Sequence, residues 1–428
     1  MSRPAPAVTV LGVNYPPEPT GISPYTGAMT RGLTRRGYRT HVVTTHPHYP
    51  EWRVSPGYGQ WSRREHLDGA DVLRLRHYVP GKPSGIRRLL SELSFGVRLL
   101  TAPLQQPDAV VAVSPALFSS AAAALRVKMF HRKTPLVVWV QDLYWLGLRE
   151  TGQAGGLSSK IIQLTEKWLL SNADRVVVIH DRFAARVSED FGIPRDRIRV
   201  VRNWTHLAPT PPVDRAQARA ARGWGDEVVV LHAGNMGIKQ GLGNVVDAAR
   251  LAAERGENVR FVLMGGGGER DRLRALGDGI PTLQFIDPLP DAEFSATLAA
   301  ADILLVNEYP GVSEMAVPSK LTSYFSSGRP VIAATDEKGI TADEIRSAGA
   351  GVVVPAGSPK ALLNESLALG RDHARADDLG QNGKRYRETV LDETFAIDSF
   401  ATLLQTLIDG DRARSPRTAS RRRADSLV

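Results

Sequence analysis

A rhythm that runs from end to end and restarts once constrains this chain most. Short apolar runs alternate with amphipathic helical stretches. In the first half the strand candidates are residues 8–15, 40–46, 71–78, 108–114, 136–142, 175–180 and 199–204. Helical stretches fall between them, for example 25–36 and 158–171. Strands that are apolar on both faces and joined by helices belong to a mostly parallel sheet. Residues 205–225 break the rhythm with Pro209, Pro211, Pro212 and a polar helical piece, as a linker does. Strand candidates then resume at 227–233, 259–265, 282–286, 303–307, 331–334 and 351–354. The expectation is α/β, with two doubly wound parallel-sheet domains over 1–204 and 226–394. A last apolar helix at 395–410 and a basic, disordered tail at 411–428 follow.

The 428 residues suffice for two cores, and 42% hydrophobic content suits a globular chain. The absence of cysteine excludes a disulfide framework, a thiolate metal site and a cysteine nucleophile. No signal-peptide core precedes the first strand, and no apolar run is long and clean enough to span a bilayer. The expected location is cytoplasmic. Net charge is +9, and the segment after Gly410 carries six Arg and two Asp of it. No nucleic-acid motif accompanies that charge, so no nucleic-acid partner is expected. An anionic membrane surface or a phosphate-bearing substrate fits it.

Open parallel sheets bind ligands at the carboxyl ends of their strands, which is where chemistry is to be sought. After the first strand comes Asn14-Tyr15-Pro16-Pro17-Glu18-Pro19-Thr20-Gly21. Gly21 opens a helix, where backbone N–H groups attract anions, and an ordinary turn would look the same. The Pro and aromatic density here and in His48-Tyr49-Pro50-Glu51-Trp52 suggests a shaped pocket wall. The strand at 136–140 runs into Gln141 and Asp142, a carboxylate placed for catalysis or for capping a helix. His180-Asp181 follows another strand, with Asp181 read as an N-cap. In the second half, Gly234-Asn235-Met236-Gly237-Ile238-Lys239-Gln240-Gly241 is a glycine-framed loop with a lysine, suited to phosphate. Gly265-Gly266-Gly267-Gly268 implies a close approach to the backbone or a very tight turn. Glu314-Met315-Ala316-Val317-Pro318-Ser319-Lys320-Leu321 opens a helix with free N–H groups, a hydroxyl and a cation together.

These residues resemble a known family. GNMGIKQG followed by PSKLTSYFSSGRPVIA is similar to family-4-type retaining glycosyltransferases of the GT-B fold. VNYPPEPTGISPYTGAMTRGLTRRGY followed by HPHYPEW resembles the WcaI/WbuB-type enzymes of colanic acid and O-antigen assembly. The likeness runs from about Val8 to Ile408. It implies two facing Rossmann-like domains with a cleft between them, the last helix crossing back to the first domain. It implies a nucleotide sugar on the C-terminal domain, contacted by Gly234, Asn235, Lys239, Gln240, Gly265, Gly266, Glu314, Val317, Ser319, Lys320 and Leu321. Gly21 would face the phosphate from the N-terminal domain. The acceptor would meet Tyr15, Glu18 and Gln141, with Asp142, Lys239 and Lys320 as catalytic residues. The chain departs from the family at Asn235, where an Arg is common. It departs again at Met315 and Ser323, where two glutamates are common.

The reaction so implied is transfer of a sugar from a nucleoside diphosphate to a hydroxyl of a saccharide or lipid-linked acceptor, with retention, in cell-surface polysaccharide biosynthesis. The leaving diphosphate gains charge that fixed cations and helix N-termini stabilise. No metal and no cofactor are expected beyond the sugar donor as substrate. The alternatives are a nucleotide-sugar 2-epimerase and a catalytically silent nucleotide-binding partner subunit.

Overall fold

The computed structural model describes residues 4–19, 21–82, 85–150, 156–204, 213–312 and 320–414. Two units divide the chain. The first runs through β1 (Ala7–Leu11), α1 (Ser23–Arg35), β2 (Arg39–Thr45), β3 (Ser62–Leu67), β4 (Ala70–Leu75), α2 (Gly85–Thr101) and β5 (Ala109–Ser114). It continues with α3 (Leu117–Phe130), β6 (Leu136–Val140), α4 (Tyr144–Glu150), α5 (Leu157–Asn172), β7 (Arg175–Val178), α6 (Asp181–Phe191) and β8 (Ile198–Val200). Its sheet has the order β3-β4-β2-β1-β5-β6-β7-β8. The central strands β1, β5 and β6 are buried along their whole length, which is why their sequences are continuous apolar runs.

All neighbours in this sheet are parallel except β3 and β4. Those two form a hairpin closed by Asp68 and Gly69, with φ of 52° and 81°. Two left-handed residues match the twist of a tight hairpin, and Asp-Gly supplies them at low cost. The strand rhythm misses β3. Its sequence SRREHL lies on the sheet edge, half-buried and exposed by turns, and so carries charges where a core strand carries Val or Ile.

The helix α15 (Glu393–Arg414) belongs to this first unit. Gly32 of α1 lets it approach closely, since a Cβ there would lie 2.5 Å from Ile397. Arg36 Nε meets Asp398 Oδ1 at 2.6 Å, Tyr38 donates to Ala401 O at 3.0 Å, and Phe400 packs on Trp139 of β6. The helix continues to Arg414, four residues into the stretch expected to be disordered tail.

The second unit comprises α7 (Arg215–Ala220), β9 (Val228–Ala233), α8 (Gly243–Arg255), β10 (Val259–Met264), α9 (Arg270–Leu276), β11 (Leu283–Ile286) and α10 (Asp291–Ala300). Then come β12 (Ile303–Asn307), α11 (Lys320–Ser326), β13 (Val331–Thr335), α12 (Ile340–Ala348), β14 (Gly351–Pro355), α13 (Pro359–Arg371) and α14 (His373–Thr389). Its sheet is parallel throughout, ordered β11-β10-β9-β12-β13-β14. Strand order therefore reverses between β9 and β12, the place where doubly wound sheets open a crevice. Part of the expected linker is folded here. Arg219 of α7 bonds Asp302 Oδ2 at 2.9 Å and Glu227 O at 2.7 Å, while 205–212 lie outside the described residues.

Candidate functional site

The site candidate in the second unit is built at the point of strand reversal. The β9–β12 ladder pairs Ile303 with Val230 and Leu304 with Leu231 and goes no further. Beyond it the Tyr324 hydroxyl enters from α11. It accepts from Ala233 N at 2.8 Å and lies 3.2 Å from Ala233 O and 3.3 Å from Leu305 O. Tyr324 is fully buried, so α11 is pinned over the end of β9 and the middle of β12. Leaving that amide without a partner would cost about 1–3 kcal/mol. One turn earlier on the same helix face stands Lys320. Its Nζ is 3.5 Å from His232 Nε2, and it borders Gly234, where a Cβ would lie 3.9 Å from Nζ.

Burial pushes the Lys320 ammonium down to about 8, against the opposing pull of Glu308. Burial first, and the Lys320 charge second, hold His232 well below the usual histidine range. An ammonium has only donors, so the neutral ring accepts at Nε2 and carries its proton on Nδ1. Glu308, just after β12, takes hydrogen bonds from the hydroxyls of Thr335 and of Thr341, the latter at 2.6 Å. The arrangement is a partly buried cation with one tethered carboxylate, at the mouth of a parallel sheet. It can receive an anion that restores its full charge.

The two glycine loops lie backbone against backbone. A Cβ on Gly265 would sit 2.1 Å from Gly234 O, and one on Gly267 would sit 2.5 Å from Met236 O. Gly234 N donates to Met264 O at 2.9 Å and Met236 N to Gly266 O at 2.7 Å. The close approach implied by the glycine cluster is thus that of the neighbouring loop. Gly266 and Gly268 have room, a Cβ on Gly266 lying 3.8 Å from Pro288 and one on Gly268 meeting nothing within 4 Å. Gln240 is turned inward: its Oε1 accepts from Gly237 N at 3.0 Å, and its carbonyl accepts from Asn307 at 2.8 Å. Lys239 and Asn235 remain exposed on this braced loop. A cavity of about 350 Å³ adjoins it, lined by Ile238, Leu242, Glu269, Arg272 and Tyr309, and includes neither lysine. Leu321 is a core side chain. Glu314, Val317 and Ser319 lie outside the described residues.

In the first unit several expected contacts turn inward. Tyr15 is 2% exposed, and its hydroxyl is 2.7 Å from Thr30 Oγ1, so it packs under α1 rather than walling a pocket. Glu18 is a strut. Its carboxylate accepts from His48 N at 2.9 Å, Tyr49 N at 3.0 Å and Asn14 Nδ2 at 2.9 Å. Buried Arg74 adds a bond to Pro16 O and one to Thr45 O at 3.2 Å. Together they fix the proline-rich loop, and Gly21 (φ 69°) follows it at the start of α1. Gln141 is buried, while Asp142 is exposed beyond β6. The first amides of α4 are taken by Glu166, which accepts from Tyr144 N at 2.9 Å and Trp145 N at 3.0 Å. His180, not Asp181, caps α6, accepting from Arg182 N at 3.1 Å. What opens instead is a cavity of about 910 Å³ lined by His46, Tyr58, Trp61, His77 and Arg98. The Arg98 guanidinium lies 3.6 Å from the Trp61 ring centre. Among the described residues, no group of three His, Asp or Glu side chains could hold a metal ion.

His232, Glu308 and Tyr324 escaped the sequence reading. Only Tyr324 left a signal, four residues after Lys320.

Residues 20–204 match the glycosyl transferase 4-like domain, and residues 227–372 match the glycosyl transferases group 1 domain. A chain of Escherichia coli strain K12 named as the colanic acid biosynthesis glycosyl transferase WcaI is 33% identical over 75% of this chain and 81% of its own. Sucrose-phosphate synthase of Thermosynechococcus elongatus superposes with a TM-score of 0.72 at 17% identity, over 95% of this chain and 100% of that one. Anabaena HepE, solved with UDP, superposes at 0.69 and 16% identity, over 94% and 100%. WaaG, a glycosyltransferase involved in lipopolysaccharide biosynthesis, superposes at 0.64 and 17% identity, over 93% and 99%. The two matched domains fall on the two sheets in turn, and the chain belongs to the glycosyltransferases of the GT-B fold, in the family that includes WcaI.

Proposed function

We propose that this glycosyltransferase moves a hexosyl group from a nucleoside diphosphate sugar to a hydroxyl of a saccharide or lipid-linked acceptor, with retention, in cell-surface polysaccharide biosynthesis. The acceptor would be met at the inner face of the membrane, with the enzyme cytoplasmic. The observation that carries the reading is the Lys320 ammonium set over Gly234 and the end of β9. A diphosphate resting there would meet Lys320 from one side and Lys239 from the loop. These cations would offset the charge of the leaving group without a metal. HepE was solved with UDP and with UDP-glucose, which makes uridine donors the first to try. A thermal-shift screen of UDP-, GDP- and dTDP-sugars tests the reading. A donor that raises the melting temperature and is turned over only with acceptor supports it. Epimer formed from donor alone, or nucleotide binding without any turnover, overturns it.

Lys239 is exposed on a loop whose backbone is held by Asn307 and Gln240. Its loss should therefore leave the fold intact. A charge-assisted contact to phosphate contributes ~1.5–3 kcal/mol, so Lys239→Ala should lower donor-dependent kcat/KM at least ~10-fold. Near-wild-type kcat/KM would remove Lys239 from the site.

Asp142 is proposed to act on the acceptor side. Asp142→Ala should cut transfer ~100-fold or more, the usual scale for a positioned acid or base, while nucleotide affinity stays within about twofold. Equal losses in both would assign Asp142 to the donor.

A further inference from the structure

We propose that the outward face of α2, α3 and α5 in the first unit docks on an anionic lipid bilayer. This inference names the surface through which the reading above would reach a lipid-linked acceptor, and it rests on that reading only there. The sequence of α2 carries an apolar stripe, and a helix that covers its own sheet turns such a stripe inward. Here it is turned out. Ile86 is 74% exposed, Val97 65%, Leu90 49% and Leu93 42%. The buried face holds Ser91, Glu92, Phe95, Gly96 and Leu99. Gly96 sets α2 against α3, where a Cβ would meet Ala122 at 3.1 Å.

The same inversion recurs two helices away. On α5, Leu157 is 76% exposed and Leu164 64%, with Ile161 and Trp168 on the same stripe. Between them α3, packed against both, exposes Leu125 and Met129 at one helical turn's spacing. Single exposed apolar residues are ordinary, whereas rows on three adjacent helices form a patch of the kind that meets a partner.

Charge selects the partner. The acids of these three helices are Glu92 and Glu166, and both point inward. Glu92 accepts from the Tyr144 hydroxyl at 2.9 Å and Phe118 N at 3.2 Å, and Glu166 takes the α4 amides. The cations Arg87, Arg88, Lys160 and Lys167 are exposed. Apolar rows flanked by cations alone suit the boundary between anionic headgroups and acyl chains. No described helix is long and apolar enough to cross a membrane, so the contact is peripheral. The 910 Å³ cavity reaches this face, because Val97 of the stripe and Arg98 line it.

The test sediments the full-length protein with vesicles of phosphatidylcholine, with or without phosphatidylglycerol, and with no sugar present. Binding to the anionic vesicles at low salt should exceed binding to neutral ones at least ~10-fold and should fall as salt rises. Leu90→Glu combined with Leu164→Glu should lower it at least ~10-fold, with the melting temperature and nucleotide-sugar binding unchanged. No binding at low salt overturns the proposal. Binding that survives the double substitution does so too, as does binding abolished by removing residues 415–428 alone. A wild-type dimer that the double variant dissociates would give the face to a second copy instead. Since no sugar is used, a negative result leaves the transfer reading standing. Failure of nucleotide-sugar binding likewise leaves the vesicle result standing.

Discussion

Lys320→Met is expected to lower kcat/KM for the donor by ~100-fold or more, the scale seen when a preorganised charge is removed from a water-poor site. The methionine keeps the length and apolar stem of the side chain and removes the charge. The described neighbours of Lys320 include His232, neutral because of its burial, and Glu308, a carboxylate that repels an incoming diphosphate. The wild-type pH profile carries a second signature. The free protein holds Lys320 at about 8, so its charged fraction falls as pH rises through that value. A bound diphosphate favours the charged form and moves the midpoint up. Hence kcat/KM, which reports the free enzyme, should fall above pH about 8, while kcat holds to higher pH. In Lys320→Met this alkaline limb should vanish. Stability follows the opposite sign. Between about 8 and the ordinary lysine value of 10.5, the unfolded chain binds more protons at this residue than the folded one does. Wild-type stability therefore gains from this residue as pH rises through that window, and the variant lacks the gain. A variant with wild-type kcat/KM and an intact alkaline limb would dismiss Lys320 as a donor contact.

The two-unit fold was legible because β1, β5, β6 and β9 are buried and parallel, and burial on both faces forces the apolar runs that sequence reading detects. The edge strand β3 was not, since an edge tolerates the charges of SRREHL. The location of the candidate site was legible for the same reason as the fold: ligand loops sit at strand ends, and the Lys239 loop follows β9 while Lys320 opens α11 beside the end of that strand. What side chains do within a loop was not legible. Proline and aromatic density marked Tyr15 and Glu18 as a wall, yet composition does not say which way a residue points. Tyr15 went into the core, and Glu18 became the tie between two loops. His232 and Glu308 were invisible because their roles arise only where β9, β12 and α11 meet, residues distant in sequence. The stripe on α2 shows the reverse failure. Its apolar period is plain in the sequence, but a period does not tell the buried side of a helix from the solvent side, and here Glu92 is buried while Ile86 and Val97 are exposed.

Gly265→Ala should destabilise the protein by at least ~3 kcal/mol and lower the melting temperature by roughly 10 °C. Gly265 is held at φ 131°, a conformation side chains avoid, and its added Cβ would sit 2.1 Å from Gly234 O and 3.0 Å from Gly234 C. Both obstructing atoms are backbone, so no rotamer change relieves the clash. Gly234 is itself at φ 133°, and its amide bonds Met264 O, so it is not free to retreat. The two loops must part, and the bonds from Gly265 N to Ile286 O and from Met236 N to Gly266 O go with them. The neighbouring residue supplies the control. Gly266 has an ordinary φ and nothing nearer than 3.8 Å, so Gly266→Ala should melt within about 1 °C of wild type. If the nucleotide lies against this turn, Gly266→Ala should weaken donor binding at unchanged stability, whereas Gly265→Ala should lose binding only in step with the fold. Thermal melts of the two variants with and without donor separate these outcomes. A Gly265→Ala protein that melts with wild type would mean that the loops are not packed against each other in solution, and that the glycines serve the ligand alone.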